Sequence, residues 1–294
     1  WVLLGGGGGG FPRDIWLDAG GNFVMGFAVG DFTGDGKQDI AALVDIPGQN
    51  SDSSVVYLYL GNGDGTFQPP KQLPVSSLGP AAIVAADLNG DGDLDLAVVS
   101  AYLHNHTGRV SVLLGDGKGG FGHPIVFPLR GLYNLPSIVP GKFNGDNKLD
   151  LALAYLDNYL NKSSFIRILL GNGDGTFREG AHTPAVRYPI SIAEADFNGD
   201  GKTDLVVANP CGAKSTDFDC ISVLVGNGNG TFQNPAQFHV HGAGVSQLTV
   251  ADFNGDGKPD VATVNGNSQN VSVLLNTTPF PARKGKQHTQ GPSH

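Results

Sequence analysis

Methionine occurs once in these 294 residues, cysteine twice, charged residues make up only 15%, and no long apolar run interrupts the chain. Without a run of about twenty apolar residues there is no candidate membrane-spanning helix. Scarcity of the strong helix formers excludes a helical bundle as the organising principle. Basic residues are also in the minority: 18 Lys and Arg stand against 27 Asp and Glu, for a net charge of −9. A deficit of positive charge excludes nucleic acid and anionic membrane surfaces as partners. The chain begins at Trp1 with neither an initiator methionine nor a basic and apolar leader, which reads as a processed product or a fragment.

What the chain has in excess is glycine, 45 residues, with 18 prolines, and these punctuate short apolar runs. Two motifs recur. The first is DFTGDGKQD (31–39), DLNGDGDLD (87–95), KFNGDNKLD (142–150), DFNGDGKTD (196–204) and DFNGDGKPD (252–260), with starts 56, 55, 54 and 56 residues apart. The second is LGNGDGTF (60–67), LGDGKGGF (114–121), LGNGDGTF (170–177) and VGNGNGTF (225–232), and the opening LGGGGGGF (4–11) has the same length and end residues. Between them lie β-branched runs of five to seven residues, such as DLAVVS, DLVVAN and ISVLVG, which carry the signature of strands.

Each repeat therefore reads as strand 1, an Asp-rich loop, strand 2, a variable loop, strand 3, a Gly-rich turn and strand 4. Four short antiparallel strands per repeat is the unit of a β-propeller blade. The predicted fold is an all-β propeller over residues 1–278, of about five blades plus a partial N-terminal one, followed by a disordered tail at 279–294. Residues 1–17 supply only strands 3 and 4 of a blade and residues 245–276 only strands 1 to 3. That count predicts a piece of a larger propeller, of about seven blades.

In the Asp-rich loops, side-chain oxygens fall at positions 1, 3, 5 and 9, a backbone carbonyl is available at position 7, and glycine at position 6 permits the sharp turn. Hard oxygen ligands at alternating positions suit calcium. The candidate ligands are Asp31, Thr33, Asp35, Lys37 (carbonyl) and Asp39; Asp87, Asn89, Asp91, Asp93 and Asp95; Asn144, Asp146 and Asp150; Asp196, Asn198, Asp200, Lys202 (carbonyl) and Asp204; and Asp252, Asn254, Asp256, Lys258 (carbonyl) and Asp260. The first five positions are those of an EF-hand, but no glutamate stands at position 12, where the fourth loop has Val207. The alternative is a metal-free Asx turn. The third loop has Lys142 at position 1 and Asn147 at position 6, which predicts a weak or empty site and four good ones. Fifteen of the 27 acidic residues lie in these stretches, so four divalent ions would offset nearly all of the net charge.

The paired motifs resemble FG-GAP (VCBS) repeats, the blades of integrin α-subunit propellers and of many secreted bacterial proteins, over residues 1 to about 278. The resemblance implies calcium in the loops, a propeller fold and an extracellular or cell-surface setting. Some fungal lectins of similar blade type bind sugars between blades, but no residue set here matches such a site.

Other motifs carry less. Gly115, Gly117 and Gly120 satisfy a dinucleotide-binding spacing, but Phe121-Gly-His-Pro follows and no helix can start there. His104, His106, His239 and His241 are scattered on loops, and no nucleophile, base and orienter set emerges. Cys211 and Cys220 flank a presumed hairpin loop; they form either a disulfide or two free thiols. Alternating strand direction places the uniform Asp-rich loops and Gly-rich turns on one face and the variable loops on the other. Tyr102, Tyr133, Tyr155, Tyr159 and Tyr188 lie on or beside those variable loops, which makes them candidates for contact with a protein or glycan ligand. The expected function is an extracellular, non-catalytic binding or adhesion module with structural calcium, likewise monomeric within a larger chain. The alternative is a polysaccharide lyase or hydrolase on the same scaffold, or the repeat region of a longer adhesin.

Overall fold

A computed structural model of the chain describes residues 2–5, 8, 10–20, 23–46, 54–75, 79–102, 107–130, 137–157, 163–184, 188–210 and 219–280. Strands β1 (Val2–Leu4) and β2 (Arg13–Ile15) form a two-stranded sheet. Four four-stranded antiparallel blades follow. Blade 1 is β3 (Phe23–Gly30), β4 (Asp39–Asp45), β5 (Ser54–Tyr59) and β6 (Lys71–Pro74); blade 2 is β7 (Pro80–Ala86), β8 (Asp95–Tyr102), β9 (Thr107–Leu113) and β10 (Ile125–Arg130). Blade 3 is β11 (Ser137–Gly141), β12 (Asp150–Asp157), β13 (Ser163–Gly171) and β14 (Phe177–Pro184); blade 4 is β15 (Ser191–Ala195), β16 (Asp204–Pro210), β17 (Asp219–Leu224) and β18 (Ala236–His239). A fifth, three-stranded blade is β19 (Val245–Ala251), β20 (Asp260–Asn265) and β21 (Asn270–Leu274). The predicted all-β propeller of consecutive four-stranded blades is what forms.

The innermost strands pack in series, β3 on β7, β7 on β11, β11 on β15 and β15 on β19. Together they surround a central space of about 400 Å³ lined by residues that include Met25, Ile83, Ile138, Ile190 and Gln247. The second strands of blades 1 to 4 are covered on both sides, which is why their sequences are apolar without alternation: Leu96, Ala97, Val98 and Val99 are all fully buried. The hydrophobic clusters lie between blades. Leu43 and Leu58 of blade 1 meet Leu96, Val98 and Leu113 of blade 2, and Val99, Val110 and Leu129 of blade 2 meet Leu151 and Leu153 of blade 3. Each such leucine contributes about 1.5–3 kcal/mol.

Position 2 of the Asp-rich loop shows how one blade depends on the next. Phe32, Leu88, Phe143 and Phe197 are buried, whereas Phe253, with no following blade, is 47% exposed.

The Gly-rich turn closes strand 3 against the end of the Asp-rich loop. A Cβ on Gly61, Gly115, Gly171 or Gly226 would stand 2.2, 2.3, 2.1 or 2.2 Å from the carbonyl oxygen of Gln38, Leu94, Leu149 or Thr203. Only glycine permits that backbone approach. Gly171→Ala is expected to destabilise the protein by about 2 kcal/mol or more in denaturant titration, while alanine at Gly36, where space is open on every side, serves as the comparison for left-handed strain alone.

Candidate metal loops

The five Asp-rich loops share one internal scaffold. In loops 1, 2, 4 and 5 the position-1 carboxylate, Asp31, Asp87, Asp196 or Asp252, accepts the position-6 glycine N–H at 2.7, 3.0, 2.8 and 2.8 Å. Its other oxygen accepts the position-5 N–H. Asn89, Asn198 and Asn254 at position 3 accept the same N–H, and the position-5 carboxylates of Asp35, Asp91, Asp146, Asp200 and Asp256 accept the position-7 N–H. A ladder of Asx turns thus winds the loop and keeps the oxygens of positions 1, 3 and 5 together. The position-6 glycines have φ between 80° and 95°, the left-handed conformation expected of them.

These hydrogen bonds set the acidity of the loop carboxylates. The Gly36 N–H holds Asp31 below the usual carboxylate value, the Lys37 ammonium does the same for Asp35, and the Gly257 N–H for Asp252. All three remain ionised at neutral pH, Asp35 and Asp252 exposed and Asp31 partly so. Lysines at position 7 lean on position 5: Lys37 Nζ is 2.9 Å from Asp35, Lys202 3.4 Å from Asp200 and Lys258 3.5 Å from Asp256. Loop 2 has Asp93 at that position and no such lysine.

The position-9 aspartates have a role that the sequence reading did not assign. Asp39, Asp95, Asp150, Asp204 and Asp260 are buried, and each ties two backbone segments together. One oxygen accepts the N–H of position 2, from Phe32, Leu88, Phe143, Phe197 or Phe253, at 2.8–3.0 Å. The other accepts the N–H of Gly61, Gly115, Gly171, Gly226 or Asn276 at 2.7–2.9 Å. Burial pushes the Asp95, Asp150 and Asp204 carboxyls up; for Asp95 the negative charges of Asp91 and Asp87 push in the same direction, as Asp200 and Asp196 do for Asp204. In loops 2, 3 and 4 the position-9 carboxyl therefore feels the charge of the carboxylates earlier in its loop. Oδ1 of the position-1 carboxylate also accepts the position-4 N–H in loops 2, 4 and 5, but its Oδ2 and the position-9 oxygens accept one N–H each and keep a lone pair, so these oxygens fit a hard cation. Among the described residues no three His, Cys, Asp or Glu side chains already converge as a shell. A cation would have to draw them inward and take further oxygens from Asn, Thr and the position-7 carbonyl.

Loop 3 departs from the others as its sequence does. Lys142 Nζ donates to Asn147 Oδ1 at 3.0 Å, and Asn147 takes the left-handed conformation with φ 72°. An ammonium stands where the other loops have a carboxylate.

Of the tyrosines expected on the variable face, one is corrected by its placement. Tyr155 is 1% exposed in β12, against Phe165 and beneath the Arg167 guanidinium, 5.3 Å from its ring. It is core, because the strand continues through Asp157 and the loop begins later than the apolar pattern implied. Tyr188 is half-buried with φ 52°, its N–H donating to Ser164 Oγ at 3.0 Å. Tyr102 ends β8; Tyr133 and Tyr159 lie outside the described residues. Cys220, in β17, is disulfide-bonded, and its expected partner Cys211 lies outside the described residues.

Sequence reasoning also missed the backbone contacts that join loops 1 and 3 to the next blade. Gly119 N–H donates to Phe32 O at 2.9 Å and Gly230 N–H to Phe143 O at 2.8 Å. The only signal was the fixed spacing between the two motifs.

Among solved structures the chain is similar to the V. cholerae biofilm matrix protein Bap1, at 18% identity and a TM-score of 0.45, over 87% of this chain and 38% of that one. The chain thus spans well under half of that protein's length. No described helix is long and apolar enough to cross a membrane. The family described as an FG-GAP-like repeat matches residues 43–98, 142–207 and 196–263, more than half of the chain. On that match, and on the repeated loop and blade geometry, the chain belongs to the FG-GAP-like repeat family.

Proposed function

We propose that this chain is an extracellular calcium-binding propeller that presents a protein- or glycan-binding surface and performs no catalysis itself. The observation that carries the reading is the repeated loop whose Asx turns hold the side-chain oxygens of positions 1, 3 and 5 together, as Asp87, Asn89 and Asp91 do in loop 2. The residues that would hold the cation are those at positions 1, 3 and 5, the carbonyl at position 7 and a free lone pair of position 9. A bound calcium ion supplies charge neutralisation and a cross-link between the end of strand 1 and the start of strand 2. Millimolar extracellular calcium suits loops of modest affinity.

Loop 3 provides an internal control. Restoring its pattern with Lys142→Asp and Asn147→Gly is expected to add one calcium site by isothermal titration, because it removes the ammonium and supplies the missing carboxylate and turn glycine. No gain in stoichiometry would contradict the assigned ligand set.

Recognition is assigned to the variable loops on the face opposite the metal loops, with Tyr102 and Tyr188, and with Tyr133 and Tyr159 on the strength of their place in the sequence alone. A glycan and protein array probed in calcium and in chelator tests this. The expected result is capture that needs calcium and releases no product. Cleavage of an arrayed glycan would contradict it, as would unchanged capture after all four tyrosines are replaced by alanine.

A further inference from the structure

Blade 5 has no Gly-rich motif, its repeat pattern ending at LLNTT, yet two hydrogen bonds that such a turn makes elsewhere are present. Asn276 N–H donates to Asp260 Oδ1 at 2.7 Å, the bond that Gly61, Gly115, Gly171 and Gly226 make in the other blades. Asn276 Nδ2 donates to Phe197 O at 2.8 Å, the role that the Gly119 and Gly230 N–H groups play on Phe32 and Phe143. Asn276 Oδ1 accepts the Thr278 N–H at 3.0 Å, which turns the chain back over the fourth Asp-rich loop. There Phe280 covers Gly199: a Cβ on that glycine would be 2.5 Å from the ring. Lys258 Nζ is 6.0 Å from the centre of the same ring.

The position-4 glycine reports whether each loop is covered. A Cβ on Gly34 would be 3.3 Å from Gly117 O and one on Gly145 3.1 Å from Gly228 O, both from the turn of the following blade. Among the described residues nothing lies within 4 Å of such an atom on Gly90 or Gly255. Among the described residues, loops 1, 3 and 4 are therefore covered at this position and loops 2 and 5 are not, and loop 4 alone is covered by a side chain.

We infer that residues 276–280 are a C-terminal cap that replaces the missing turn, locks blade 4 to blade 5 and closes the fourth loop. Resting on the calcium reading, the same cap makes loop 4 retain its cation longer than the open loops 2 and 5, since release requires the ring to lift. A polar amide and an aromatic ring do together what glycine backbone does elsewhere, which is why no repeat pattern marks them.

Two measurements on the full chain separate the parts. In chelator, Asn276→Ala and Phe280→Ala are each expected to lower the melting midpoint by about 2–4 °C, the shift that one lost hydrogen bond or apolar contact gives in a protein of this size. Phe280→Leu, which keeps an apolar cover, stays close to wild type. Both alanine variants melting as wild type would overturn the cap. After calcium loading, stopped-flow mixing with a fluorescent chelator is expected to give a fast and a slow phase. Phe280→Ala moves one ion's amplitude out of the slow phase, with its release about fivefold faster. An unchanged slow phase with a lowered midpoint would overturn cation retention and leave the cap standing. Release of no calcium at all would remove the calcium reading, and the melting experiment would then decide the cap alone.

Discussion

Removing calcium is expected to lower the melting midpoint of this protein by about 10–20 °C. At millimolar calcium, a loop with a dissociation constant near 10⁻⁴ M adds about 1.4 kcal/mol to the stability of the folded state. Four such loops add about 5–6 kcal/mol, and each kcal/mol moves the midpoint by about 2–4 °C in a protein of this length. The effect is large because chelation leaves the carboxylates of each loop facing one another with only the position-7 lysines as counter-charge, and loop 2 without even that. Magnesium at the same concentration should restore little, because it demands six ligands at short octahedral distances and gives up water reluctantly. Differential scanning calorimetry in calcium, magnesium and chelator measures this. Equal midpoints in all three would mean that the Asx-turn ladder alone holds the loops.

Asp95→Ala is expected to cost about 3–5 kcal/mol even in the absence of calcium. The substitution strands two backbone N–H groups, Leu88 at 2.8 Å and Gly115 at 2.8 Å, at a site that is fully buried. Buried donors left without acceptors cost about 1–3 kcal/mol each. Asp95→Asn should cost less, since one oxygen still accepts while the amide nitrogen faces a donor. Denaturant titration in chelator isolates this from metal loss. If Asp95→Ala matched wild type there and differed only in calcium, the carboxylate would be a ligand and not the tie between the strand end and the turn.

The blade plan was legible in the sequence because it rests on local rules repeated five times. Gly36, Gly92, Gly201 and Gly257 each mark a left-handed turn, and β-branched runs between turns mark strands. The anomaly of loop 3 was equally visible, since Lys142 and Asn147 change the charge and the turn residue together. What depended on long-range packing was not legible. Asp95 looks like any other loop carboxylate until the turn of its own blade, twenty residues on, presents Gly115 to it. Tyr155 follows an apolar run and precedes a loop, so only the packing of β12 against β13 and its neighbours decides that it is core. Asn276 belongs to no repeat, and its role appears only once β20 brings Asp260 beneath it. The exposed side chains of β3, Phe27 at 66% and Val29 at 49%, and of β21, Val271 at 63% and Val273 at 52%, also lie on blade surfaces whose strand patterns are those of buried positions.

The most direct test of calcium in these loops is a count of bound ions by native mass spectrometry across a calcium titration. Loops 1, 2, 4 and 5 hold a carboxylate at position 1, and loop 3 holds the Lys142 ammonium, so the expected plateau is four calcium ions per chain. A plateau of five equivalent ions, or none, would contradict it.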